Sequence, residues 1–101
     1  MTNNKVIEVV TLYEKRLTNF GLEPLRWSES GDMTVEWGAL KHALWMCGEI
    51  KNILIRDGQT EKVMRWLGFV QGVLWVFRFR TIEQMKIDNK DEIVVKSEVH
   101  G

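Results

Sequence analysis

Thr34 to Arg80 reads TVEWGALKHALWMCGEIKNILIRDGQTEKVMRWLGFVQGVLWVFRFR, two apolar helical patterns back to back that hold four of the chain's five Trp residues. Only Asp57-Gly58-Gln59 interrupts them. The spacing predicts a helix from Thr34 to Arg56, with Asp32 or Thr34 as N-cap and Gly58 just past its end. At 1.5 Å per residue that helix is roughly 35 Å long. Thr60 can cap a further helix running to Phe79. So short a connection between two long helices requires an antiparallel hairpin.

Working outward, Val6, Val10, Tyr13, Leu17 and Phe20 recur at spacings of three and four, which sets them on one stripe of a helix ending by residue 21. Asn3 or Asn4 can cap it, and Gly21 suits the left-handed position after its end. Residues 22–33 break every period with Pro24, Ser28, Ser30 and Gly31. They form a connector, with Leu25 and Trp27 folding back onto the core. Beyond the hairpin, Thr81 followed by Ile82-Glu83-Gln84-Met85 starts a short fourth helix, whose Met85 can pack back. Residues after Asp88 are polar, with Ile93-Val94-Val95 able to pair as a short strand. The expectation is one all-α domain over residues 1–101: a first helix to residue 21, the connector, the hairpin over 34–80, and a short helix with a polar tail over 81–101.

With 14 basic and 14 acidic residues the formal net charge is zero. That balance argues against nonspecific nucleic-acid binding, whose affinity comes from Lys and Arg displacing phosphate counterions. Cys47 is the single cysteine, which excludes an internal disulfide and fits a reducing compartment. The N-terminus passes directly into an amphipathic stretch, without the basic and apolar regions of a signal peptide. Trp66 to Phe77, the most apolar run, is too short for a membrane span, which takes roughly 20 residues. A cytoplasmic protein is expected, with no membrane partner.

Projected at about 100° per residue, the third helix gathers Val63, Trp66, Leu67, Val70, Val73, Leu74 and Phe77 on a core face. Met64, Gly68, Gly72, Trp75 and Phe79 share the reverse side. An apolar reverse side needs cover of its own. The two glycines let another helix approach, so this face is expected to make a homo-oligomer interface. The plainer alternative is cover by the connector or the first helix. Gln71 lies within the most apolar stretch, and a buried amide without partners costs about 1–3 kcal/mol. It must find hydrogen bonds from a facing backbone, from Gln71 of another subunit, or from a ligand.

On the second helix Trp37, Leu40, Leu44, Cys47 and Leu54 form an apolar sector, widened by Ala39, Ala43 and Ile50. Cys47 reads as a small core residue. The opposite stripe carries Gly38, His42, Trp45, Glu49, Asn52 and Arg56, an aromatic ring among polar groups. As a binding surface it would stack a flat group on Trp45, hydrogen-bond it through His42, Glu49 and Asn52, and meet phosphate or carboxylate with Arg56. The bland alternative packs Trp45 under the first helix or the connector. His42 and Glu49 are two helical turns apart, beyond common chelation from one helix, so neither a metal nor catalysis is expected. Arg65, Arg78 and Arg80 gather toward the end of the third helix. Each alone reads as solvated, but with Trp75 they can form a cationic aromatic patch.

The stretch His42-Ala43-Leu44-Trp45-Met46-Cys47, followed after the turn by Glu61-Lys62 and by Arg65-Trp66-Leu67-Gly68-Phe69-Val70-Gln71-Gly72, resembles small uncharacterised helical proteins encoded by bacteriophages and prophages. The likeness covers about a third of the chain. It implies a non-enzymatic accessory protein that acts by binding a host protein or by sequestering a nucleotide signal used in host defence. The expectation is a protein of the host cytoplasm, without cofactor, that binds and neutralises a host defence protein through a Trp- and Arg-rich surface, since Trp and Arg dominate interface hot spots. Two alternatives stand beside it. One is an oligomeric sponge that holds a nucleotide signal between Trp45 or Trp75 and an arginine such as Arg56, Arg65 or Arg78. The other is a structural or assembly component of a phage particle.

Overall fold

The computed structural model describes residues 1–26 and 37–90. Among them all regular structure is helical: α1 (Asn3–Asn19), α2 (Gly38–Asp57), α3 (Glu61–Val76) and α4 (Ile82–Asp88). None of these helices is long and apolar enough to cross a membrane. The expected folding back of Trp27, the caps Asp32 and Thr34, and the strand at Ile93-Val94-Val95 fall outside the described residues.

Helix ends follow local chemistry. The Thr2 hydroxyl, not Asn3 or Asn4, caps α1 by accepting from the Lys5 N–H at 3.0 Å. The two asparagines are instead its first helical residues. After α1, Gly21 takes φ 103°, with the Gly21 N–H donating to Thr18 and the Leu22 N–H to Leu17, a left-handed closure that glycine adopts without penalty. Thr60 caps α3 as expected, accepting from the Val63 N–H at 3.1 Å. That helix, however, stops at Val76, short of Phe79. Arg78 there adopts φ 64°, and the Arg78 and Phe79 N–H groups turn back to the carbonyls of Trp75 and Leu74. The same closure is thus built on a residue that carries a Cβ. Thr81 and Gln84 form a reciprocal capping box at the start of α4.

α2 packs against both α1 and α3, and its burial shows it. Leu40, Ala43, Leu44, Cys47, Ile50 and Leu54 are buried as expected, but so are Met46 and Ile53. A helix gripped on two sides has two apolar faces, and one stripe understates it. α1 contributes Val6, Val9, Val10, Tyr13 and Leu17, while α3 contributes Val63, Leu67, Val70 and Leu74. Trp66 and Val73 are only partly buried against this core, and Phe77 is exposed. Lys51 on α2 pairs with Glu14 on α1. Phe20, expected in the α1 stripe, and Trp37, expected in the α2 sector, are both exposed instead. They sit at the helix ends, where Phe20 meets Trp37 and Phe79 edge to face at 5.6 and 5.1 Å.

A buried polar network holds α4. Arg80 grips Asp88 through two hydrogen bonds, the Nε contact being 3.0 Å, and the Tyr13 hydroxyl donates to the same carboxylate at 2.7 Å. Gln71 Nε2 donates to the Tyr13 hydroxyl at 3.0 Å and to Asn89 Oδ1 at 2.7 Å. The amide in the apolar stretch therefore finds side-chain partners within its own chain. Arg80 is no solvated member of a surface cluster, since its side chain is 9% exposed and that of Asp88 is 6%. Burial holds the Tyr13 phenol well above its usual pKa; the Gln71 hydrogen bond opposes this and Asp88 reinforces it.

Candidate functional site

His42 and Trp45 stand three residues apart on α2, as do Trp66 and Phe69 on α3, so each helix turns a ring pair toward the same side. The His42 ring stacks on Trp45 at 5.5 Å with 22° between planes. Trp66 lies 6.0 Å from Trp45, tilted by 42°, and Phe69 presents an edge to His42 at 6.4 Å. Together with Met46 these rings line a pocket of about 420 Å³. Small-molecule sites span about 300–1,000 Å³ and are mostly apolar with a few polar groups, which is the character of this one.

Two arginines also line the pocket. The Arg26 guanidinium, from the segment after α1, sits over the Trp45 ring at 5.2 Å. Among the described residues no carboxylate pairs with it. Arg65 projects from α3 beside Trp66 and pairs with Glu61 at 3.3 Å, with both side chains more than half exposed. So exposed a pair contributes little and opens at little cost. Lys62 reaches over Trp66 at 5.0 Å. Burial, and then the Arg26 charge, push the His42 pKa below its usual value, which favours the neutral ring near pH 7. The site thus offers flat aromatic surfaces, two permanent cations and an imidazole.

Of the residues singled out in the sequence, the structure brings His42, Trp45 and Arg65 together here. Glu49 is half-buried and does not line the pocket. Arg56 is engaged with Asp57 at 3.2 Å on the surface. Trp75 and Arg78 border a separate, smaller cavity with Arg80 and Thr81. Arg26, Met46, Trp66 and Phe69 complete the pocket without having been singled out for it. The spacing of Trp66 and Phe69 repeats that of His42 and Trp45 and was the available signal, whereas Arg26 sits in a stretch without period.

Of the reverse face, Met64, Gly68, Gly72 and Trp75 are exposed. Phe79 is not part of it, because α3 has ended and Phe79 packs on Phe20. A Cβ placed on Gly68 or Gly72 would meet nothing within 4 Å. Cys47 is fully buried, and desolvation pushes its thiol up to about 12, which removes the thiolate that reactivity requires. Among the described residues no group of three or more His, Cys, Asp or Glu could hold a metal ion. No protein-family model, curated protein or solved structure matches the chain.

Proposed function

We propose that this is a non-enzymatic binding protein that neutralises a host factor by capturing it at the aromatic and arginine pocket between α2 and α3, in the cytoplasm of a phage-infected bacterium. The observation that carries the reading is the convergence of His42, Trp45, Trp66 and Phe69 with two arginines at one concavity. Trp and Arg are the residues that dominate recognition hot spots. The factor is a defence protein or a nucleotide signal of that defence. The concave form of the site favours the second, because a protein anchor asks for a wider surrounding surface.

Two features of the assembly belong to the proposal. α2 and α3 form an antiparallel hairpin, supported by a connection of only Gly58, Gln59 and Thr60. The open face at Met64, Gly68, Gly72 and Trp75 joins copies of the chain, supported by the exposure of Trp75 and the empty space above both glycines.

The test is plating of a defence-sensitive phage on a host expressing this protein. Wild type should raise plaque numbers, and an Arg26→Ala/Arg65→Ala variant of equal abundance should not. Equal plaque numbers with both proteins would refute the role of the pocket. Native mass spectrometry of the two purified proteins should show a discrete bound mass on the wild type alone.

A further inference from the structure

We propose that the pocket's ligand is a single nucleotide, a planar base stacked on the Trp45 and Trp66 side and a phosphate held by Arg26 and Arg65. The inference rests on the reading that this pocket is the recognition site, and it names what the site takes.

Aromatic side chains stack any nucleobase, because every base has a π-face, and each such contact is worth roughly tenfold or more in affinity. Trp45 and Trp66 are tilted by 42° and both line the cavity, so their rings form a splayed wall and not a closed sandwich. His42 already stacks on Trp45, and Arg26 and Lys62 lie over the Trp45 and Trp66 rings, so a base meets this wall as Arg26 swings from Trp45 onto the phosphate, with the Phe69 edge and the Met46 side chain as further apolar contacts. Met adapts its shape to the ring it meets.

The cations define the other end of the ligand. A carboxylate would answer one guanidinium, whereas a phosphate monoester carries about −1.5 to −2 charges and several acceptor oxygens at pH 7. Two arginines match that charge and can bind phosphate oxygens with their forked donors. Arg26 spends its charge on the face of Trp45, a contact that a phosphate can replace or share. Arg65 has only an exposed partner, Glu61, to give up. Size is compatible: about 420 Å³ is in the lower part of the small-molecule range and suits one nucleotide unit against the walls.

Isothermal titration of the full chain with AMP, GMP, CMP and UMP, with adenosine and inorganic phosphate as half-ligands, tests this. At least one monophosphate should bind one per chain, more than tenfold tighter than adenosine or phosphate, with affinity falling as salt rises. Arg26→Ala and Arg65→Ala should each weaken it about tenfold and leave thermal stability unchanged, and Phe69→Ala should weaken it less. Trp45→Leu should weaken binding about tenfold while circular dichroism remains helical. No binding of any monophosphate at millimolar concentration would overturn the proposal, as would adenosine or inorganic phosphate binding as tightly as the best monophosphate. If nucleotides fail while Arg26→Ala/Arg65→Ala still abolishes phage rescue, the nucleotide assignment falls and the pocket reading survives. If neither nucleotides nor rescue depend on the arginines, both fall.

Discussion

Tyr13→Phe removes one oxygen from the interior and tests whether the polar network holds the fold together. Tyr13 is fully buried, and its hydroxyl makes two hydrogen bonds, donating to Asp88 at 2.7 Å and accepting from Gln71 at 3.0 Å. After the change Asp88 retains Arg80 and Gln71 retains Asn89, so no partner is wholly orphaned. The loss is then one hydrogen bond to a charged group and one between neutral groups, about 1.5–3 kcal/mol for the first and about 1 for the second. Relaxation of the remaining bonds reduces the sum, and about 2–3 kcal/mol is expected. For a domain of this size 1 kcal/mol moves Tm by roughly 4–8 °C, so the variant should melt about 10–20 °C lower. Asp88→Asn, which leaves the buried Arg80 cation without a counter-charge, should cost more, about 3–5 kcal/mol. Urea unfolding of both single variants and the double variant gives a coupling energy, expected at about 1 kcal/mol or more between directly bonded groups. Arg56→Ala, which opens only the exposed pair with Asp57, is the control and should stay within about 0.5 kcal/mol. A Tyr13→Phe cost no larger than that control, or zero coupling to Asp88, would refute the reasoning.

Arg78→Gly should stabilise the protein, since φ 64° costs a residue with a Cβ about 1–2 kcal/mol and glycine's extra unfolded-state entropy offsets about half; a lower Tm would contradict it. Gly68→Leu and Gly72→Leu meet open space within one chain and replace a poor helix former, so each should raise chain stability by about 1 kcal/mol while breaking the proposed assembly. Sedimentation showing an unchanged mass for both would sink the interface. Stability should also depend on pH at two edges. The folded state holds His42 below its ordinary value of 6.5, so the unfolded chain takes up the proton first and stability is lost as pH falls from about 6.5. The folded state holds Tyr13 above the ordinary phenol value of 10.0, so the unfolded chain ionises first and stability is lost as pH rises beyond about 10. Urea midpoints against pH should show the alkaline fall reduced in Tyr13→Phe and the acid fall reduced in His42→Gln; wild-type slopes in both variants would exclude these two groups as the cause.

Most helix ends were readable because their chemistry is local, although at α1 the cap fell to Thr2 and not to Asn3 or Asn4. Thr60, Thr81, Gly21 and Gly58 mark helix ends because a cap or a left-handed turn involves only a few neighbouring residues. Arg78 hid the end of α3 because its conformation is imposed by the Leu74 and Trp75 carbonyls and not by its own residue type. Met46 and Ile53 were missed because a single apolar stripe describes a helix packed on one side, and α2 is packed on two. In the site, His42, Trp45 and Arg65 stood out as polar and aromatic groups in helical register. Arg26 belongs to a segment without register, so only the folded chain could bring it over Trp45. Gln71 announced that it needed partners but not which, since Tyr13 and Asn89 lie 58 and 18 residues away in the sequence.

The bond between Tyr13 and Asp88 joins residues 75 apart, so it closes a loop through nearly the whole helical body. Such a closure costs more chain entropy than a local contact, so it is expected to form after the helices have packed. An interaction absent from the folding transition state acts on the exit, not the entry: it slows unfolding and leaves the folding rate almost untouched. α4, at seven residues far too short to be stable alone, should therefore act as a brake on unfolding. In stopped-flow kinetics Tyr13→Phe should accelerate the unfolding limb about 30- to 150-fold, the whole of its 2–3 kcal/mol, while the refolding limb overlays that of the wild type.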